Sequence, residues 1–343
     1  MKRETTLRDI GKQLGLSAMT VSLVLRDSPR ISDATKRRVR AAIKGMNFEP
    51  NQLARALATG RSNLIGVIVP NSSDLYYAEV IRAIEDSARA AQYHVLLCNG
   101  SYRMETYTAR VRDMRRLHMK GIVAAPPFTS EKPRLPQFWK DLASSDFEVV
   151  LINRQLDPPI FHQVAADYMG GVEMLAAALA ERGHRRVAYL SGYPAVLPFR
   201  QRLATFKRCV REYGFDGDDS LFDAGELTCA GGYEACKRLW KANRRKPTAI
   251  VASSDTTAVG VLRYLDETGI DVPGQVSVAS FDGTPFADYT HRSLTTVATP
   301  MYDIGRQAFR TLIEAMKGDL REPRSLILPV ELRLRESIGP APE

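Results

Sequence analysis

The chain has 343 residues, 44% hydrophobic and 25% charged, which suits two or three self-supporting domains of a globular protein. No apolar run approaches the roughly 18 residues of a membrane span, and the opening MKRETTLRDI lacks a signal peptide's apolar core, so a cytoplasmic location is expected. Cys98, Cys209, Cys229 and Cys236 make no C-x-x-C pair, so free thiols are expected, with no metal site and no cofactor. The net charge of +9 is unevenly spread: residues 1–62 carry 13 Lys/Arg against 5 Asp/Glu, and residues 63–343 carry 35 against 34. A small basic head on a large neutral body points to a polyanion partner.

In the head, Thr6 precedes Leu7, Arg8 and Asp9 in the T-x-x-D pattern of a helix start. Leu7, Ile10 and Leu14 then fall on one helical face, and Gly15 ends that helix. Ser17 is placed to cap a second helix with Val21, Val24 and Leu25 inward, and Ser32 a third with Val39, Ala42, Ile43 and Met46 on one side. Two short helices joined by a glycine turn make a helix-turn-helix, whose second helix enters the major groove. The residues that then face DNA are Ser17, Ala18, Met19, Thr20, Ser22 and Leu23, with Thr6 at a helix N-terminus on the phosphate side. Ala18, Met19 and Leu23 suit thymine methyls, Thr20 and Ser22 suit phosphate oxygens, and Leu23 has a second reading as a residue buried against the third helix. The segment NQLARALATG is too short to be a stable isolated helix and is expected to order only against a partner.

From Leu64 on, apolar runs alternate with amphipathic helices: LIGVIV, HVLLC, GIVAA and VVLIN in one series, RVAYLS, TAIVAS and VSVASF in a second. Such βαβ series predict two doubly wound parallel-sheet lobes, with a ligand in the crevice at the strands' carboxyl ends. Polar residues stand there: Asn71 and Asp74, Asn153 and Arg154, Asp255, and Asp282, with Tyr76 and Tyr77 beside the first strand. The tyrosine pair reads either as packing or as a ligand stack, and Asp255 also reads as a helix cap. Nucleotide-binding, nucleophile-elbow and zinc-protease motifs are missing, so no enzymatic activity is expected.

The ordered set TLRDIGKQLGLSAMTVSLVLRD, ISDATKRRVRAAIKGMNFEPNQLARALATGRSNLIGVIVP, DYMGGVEMLAAALAERGHRRVAYLSG, PTAIVASSD and DVPGQVSVASFD resembles the lactose/galactose repressor family of bacterial regulators over nearly the whole chain. The resemblance implies an all-α helix-turn-helix head (1–49), a hinge helix (50–60) and an α/β body of the periplasmic-binding-protein type (61–343). It places the first lobe at about 61–163 and 294–322 and the second at about 164–293 and 323–343. It also implies a homodimer on a pseudo-palindromic DNA operator, with no membrane partner. In the hinge, Asn51, Ala54 and Leu57 join the DNA contacts, Leu57 as a minor-groove wedge and Ala54 as the point of close helix approach. Effector candidates carried over are Asn153, Arg202, Leu227 and Asp282, beside Asp74, Tyr76, Tyr77 and Asp255. A guanidinium and a carboxylate from opposite lobes are expected to clamp adjacent ligand hydroxyls. Ser254, Tyr168 and Gly283 depart from the family's "ND", "DN" and "FDD" pairs, which weighs against a purine and leaves a sugar or related polyol as the effector. The other class of function weighed is a carbohydrate-binding protein without a DNA role.

Overall fold

The computed structural model describes residues 6–25, 28–46, 62–129, 132 and 134–343, in two units divided after Ser62. The hinge segment, with Asn51, Ala54 and Leu57, lies outside the described residues.

The head comprises α1 (Leu7–Leu14), α2 (Ala18–Leu25) and α3 (Asp33–Gly45). Thr6 and Asp9 form a reciprocal capping box, Gly15 closes α1 at φ 68°, and Ser32 caps α3. A Cβ on Gly11 would stand 2.6 Å from the Leu16 carbonyl, so the α1–α2 turn closes only over glycine. Ile10, Val21, Val24 and Val39 form the core, joined by Leu7, Leu14, Ala42, Ile43 and Met46. Leu25 is half-buried and outside that core, contrary to its expected inward role.

In the body, the first lobe contains β1 (Leu64–Val69), α4 (Leu75–Ala90), β2 (His94–Asn99), α5 (Met104–Arg116), β3 (Gly121–Ala124), α6 (Gln137–Ala143), β4 (Glu148–Ile152) and β5 (His162–Ala166). The second contains α7 (Tyr168–Glu181), β6 (Val187–Ser191), α8 (Leu197–Tyr213), β7 (Phe222–Ala224), α9 (Cys229–Ala242), β8 (Ala249–Ala252), α10 (Asp255–Glu267), β9 (Ser277–Asp282) and β10 (Thr295–Ala298). Then α11 (Met301–Lys317) and β11 (Ser325–Leu328) return to the first lobe, and β12 (Glu331–Arg333) to the second. The sheets are ordered β11-β5-β4-β3-β1-β2 and β12-β10-β9-β8-β6-β7, parallel except for the β12 edge strand.

The chain crosses between lobes after β5, after β10 and after β11, each a few residues beyond its expected position. Thr295–Ala298 stay paired with Ala279–Asp282, and Ser325–Leu328 with Gln163–Ala166. Each strand completes its ladder before Pro300 or Pro329, neither of which has an N–H to extend it. One apolar core is continuous across the lobes, from Val67 and Val150 through Tyr76 and Tyr168 to Tyr189 and Phe281.

Helices α9 and α10 approach so closely that a Cβ on Gly260 would lie 1.9 Å from the Cys229 carbonyl oxygen, and one on Gly232 2.0 Å from that of Thr257. Backbone cannot yield there as a side-chain tip would. Gly260→Ala is expected to lower unfolding free energy by about 1–3 kcal/mol through overpacking, as measured by urea denaturation. An unchanged midpoint would show that the helices separate freely.

Candidate functional site

On the head, α2 presents its N-terminal side to solvent. Ser17 and Ala18 are exposed, and Met19 is 65% exposed. Leu23 is half-buried and is not among the residues of the head core. The Ser17 Oγ accepts from the Thr20 amide at 3.0 Å and pairs with the Thr20 hydroxyl at 2.9 Å, so both serve the helix start before any phosphate. Arg38 reaches back to the Leu14 carbonyl at 3.3 Å, while Arg37, Arg40 and Lys44 are exposed on α3.

In the body, a small cleft opens between the lobes at the strands' carboxyl ends. The first lobe lines it with Asp74, Tyr76, Tyr77, Tyr102, Asn153 and Arg154, and the second with Tyr168, Pro198, Phe199, Arg202, Leu227, Ser253, Ser254 and Asp282. Seven of the eight expected effector residues meet in it.

The eighth, Asp255, does not. Its carboxylate is buried behind the cleft, where Oδ1 accepts from Ser280 Oγ (2.6 Å) and Thr296 Oγ1 (2.7 Å), and Oδ2 from the Thr284 amide (2.6 Å) and hydroxyl (2.8 Å). Four donors leave no acceptor for a ligand, so Asp255 braces β9, β10 and the following turn. Nor does it cap α10: that is Ser254, whose hydroxyl accepts from the Thr257 amide at 3.1 Å.

On the first-lobe side, Asn153 ends β4 at φ 53°, a conformation a side chain tolerates only when its surroundings hold it. Its amide donates to Val164 and its Oδ1 accepts from the Tyr76 hydroxyl at 2.8 Å. Tyr76 and Tyr77 are both buried and meet edge to face at 5.2 Å, so they pack together as well as lining the wall. Arg154 donates to the carbonyls of Ala125, Pro126 and Asn153, which ties the loop after β3 to the end of β4.

On the second-lobe side, the Arg202 guanidinium lies 4.8, 5.0 and 5.1 Å from the ring centroids of Phe199, Phe281 and Tyr168. One nitrogen donates to the Ser253 carbonyl at 3.0 Å, while Nε, with the hydroxyls of Ser253, Ser191 and Tyr189, is buried without a hydrogen-bond partner among the described residues. Buried polar atoms left unpaired are costly, and of these four residues Arg202 and Ser253 line the cleft. Arg202 and Asp282 come from α8 and β9, both in the second lobe, and the groups facing them across the cleft are Asp74 and Asn153. Tyr102, Tyr168, Phe199 and Ser253 were not anticipated as site residues; each follows a strand or starts a helix, the signal that marked the others.

Desolvation raises the Asp282 pKa well above the ordinary aspartate value, with repulsion from Asp255 and Asp74 adding to it and Arg202 opposing. Desolvation raises that of Asp74 as well. When the folded pKa exceeds the unfolded one, the group's contribution is full below the unfolded value and is lost as pH rises through the folded value. Ionised Asp282 therefore costs stability at neutral pH. Asp282→Asn is expected to raise the ligand-free melting temperature at pH 7 and to flatten its decline above about pH 4, as read by melts across that range. A lower melting temperature would mean that the carboxylate is structurally required.

Residues 6–51 match the profile for bacterial regulatory proteins of the lacI family, and residues 176–338 that for a periplasmic binding protein-like domain. Catabolite control protein A of Priestia megaterium is 28% identical over 333 residues, spanning 97% of this chain and 98% of its own. The lac repressor dimer bound to operator and the anti-inducer ONPF superposes with a TM-score of 0.87 at 22% identity, covering 98% and 100% of the two chains. The transcriptional regulator CelR in complex with cellobiose gives 0.71 at 25% identity, covering 97% and 100%. Among the described residues, no helix is long and apolar enough to cross a membrane. The chain belongs to the lacI family of bacterial regulatory proteins, DNA-binding transcriptional regulators and not enzymes, with a periplasmic-binding-protein-like body.

Proposed function

We propose that this regulator is a dimeric repressor whose operator affinity is set by a sugar or related polyol held between the two lobes. The observation that carries this reading is the interlobe cleft, where Arg202 Nε and the Ser253 hydroxyl stand buried and unpaired opposite Asp74 and Asn153. Carboxylates, an amide, a guanidinium and hydroxyls amid aromatic rings match a molecule with several hydroxyls and an apolar ring face. The cellobiose complex of CelR supports a saccharide. A ligand that touches both lobes favours one lobe arrangement over the other, and that difference is all it can transmit to the head.

A second copy fits the outer face of the second lobe, where an open groove is lined by Val259, Leu262, Ile270, Val272 and Phe286, with Tyr289 86% exposed at its side. An exposed apolar patch of this kind marks an association surface, and the lac repressor of the same fold is a dimer. A dimer carries two α2 helices to two half-sites, hence a two-fold symmetric operator.

Selection of the full-length protein on random duplex DNA, with and without a saccharide panel, tests the reading. A symmetric site whose enrichment changes with one saccharide supports it, and a site indifferent to every saccharide removes the sugar. Leu23→Arg is expected to shift the preferred half-site toward guanine, with about 1–3 kcal/mol of new discrimination; an unchanged half-site means that Leu23 does not face bases. Tyr289→Glu is expected to yield monomers in sedimentation velocity and to weaken operator binding at least tenfold. A dimer of unaltered affinity would place the contact elsewhere.

A further inference from the structure

The lobes are joined at one edge and touch again at the other. Every crossing of the chain leaves or enters β5, β10, β11 or β12, the strands on one flank of each sheet. β2 is the outermost strand of the opposite flank in the first lobe, and β6 lies next to the outermost in the second. The turn after β2 carries Tyr102 and the turn after β6 carries Tyr193, and their rings meet across the cleft with centroids 4.6 Å apart. Opening about the crossings moves the far flank furthest, so this contact is among those most sensitive to it.

Both rings are held from behind. Ser101 and Tyr102 lie at φ 51° and 53°, two successive non-glycine residues in the left-handed region. The turn is pinned by the Gly100 amide on Val69 (2.8 Å) and the Ser101 amide on Pro70 (2.9 Å). A Cβ on Gly100 would stand 2.0 Å from the ring of Tyr107, whose hydroxyl donates to the Ala125 carbonyl at 2.7 Å. On the other side, Tyr193 meets Phe199 edge to face at 6.3 Å, and Phe199 lies 4.8 Å from the Arg202 guanidinium. A line of contacts thus runs from the cleft's polar floor to its rim. Strain concentrated in a turn that presents one side chain to the opposite lobe is a mark of function rather than of packing.

We propose that Tyr102 and Tyr193 form an aromatic latch that holds the lobes closed over the cleft, coupled to its occupant through Phe199 and Arg202. This rests on the reading of the cleft as the effector site, but the latch itself acts with or without a ligand. Hydrogen–deuterium exchange of the ligand-free, full-length protein tests it. In Tyr102→Ala, peptides carrying residues 74–77, 197–202 and 253–255 are expected to exchange roughly two- to tenfold faster, the span of one aromatic pair. Peptides from β4 and β8 stay as they are. Tyr193→Ala should do the same, the double variant no more than either single one, and Tyr102→Phe should keep the protection because the ring is retained. Exchange at the cleft that does not change in either single variant, or additive effects in the double variant, overturns the latch. Because no ligand is added, either outcome is independent of whether the effector is a saccharide.

Discussion

Three passages of chain, just before Tyr168, at Thr299–Pro300 and at Pro329–Val330, connect the two sheets along the same flank of each. Three adjacent tethers remove most relative motions of two bodies and leave one: rotation about the line they define. The strands' carboxyl ends face each other across that line, so the rotation widens or narrows the one region where a parallel sheet exposes loop residues and helix starts. The position of the cleft, the mixture of residues from both lobes and the leverage at its far rim all follow from this tethering.

The cleft is assembled at the expense of local stability. Among the described residues, no neighbouring side chain gives the Asp282 carboxylate a hydrogen bond, while Arg202 is surrounded by rings instead of carboxylates. Asp255, by contrast, shows how the same residue type is treated when its task is structural: four donors close on it. Asp255, just beyond β8, and Asp282, at the end of the adjacent β9, thus have opposite uses, and the number of donors aimed at each carboxylate separates them. Proteins commonly keep such unmet groups where a ligand completes them.

Much of this was legible in the sequence, for identifiable reasons. Apolar runs alternating with amphipathic helices marked both lobes, and strand ends marked Asp74, Tyr76, Tyr77, Asn153, Arg154 and Asp282, because parallel sheets expose residues at that end, while Arg202 and Leu227 came from the family resemblance. Asp255 misled because a strand-end carboxylate looks alike whether it faces a cavity or turns back on Ser280 and Thr296; its partners are 25 and 41 positions away. Tyr102 was missed because its role depends on Tyr193, a residue in the other lobe.

The nesting of the lobes bears on how the molecule is made. Strands β6 to β10 run without interruption from Val187 to Ala298, so the five parallel strands of the second lobe are contiguous in synthesis. The first lobe's parallel sheet is the divided one. Its helix α11 and its edge strand β11 leave the ribosome only after that whole series, and β11 must then find β5 across 162 positions of chain. Closing so long a loop is costly in entropy and slow compared with local pairing. Until it closes, the β5 edge and the apolar surface that α11 covers on β3, β4 and α4 remain open to solvent and to chaperones.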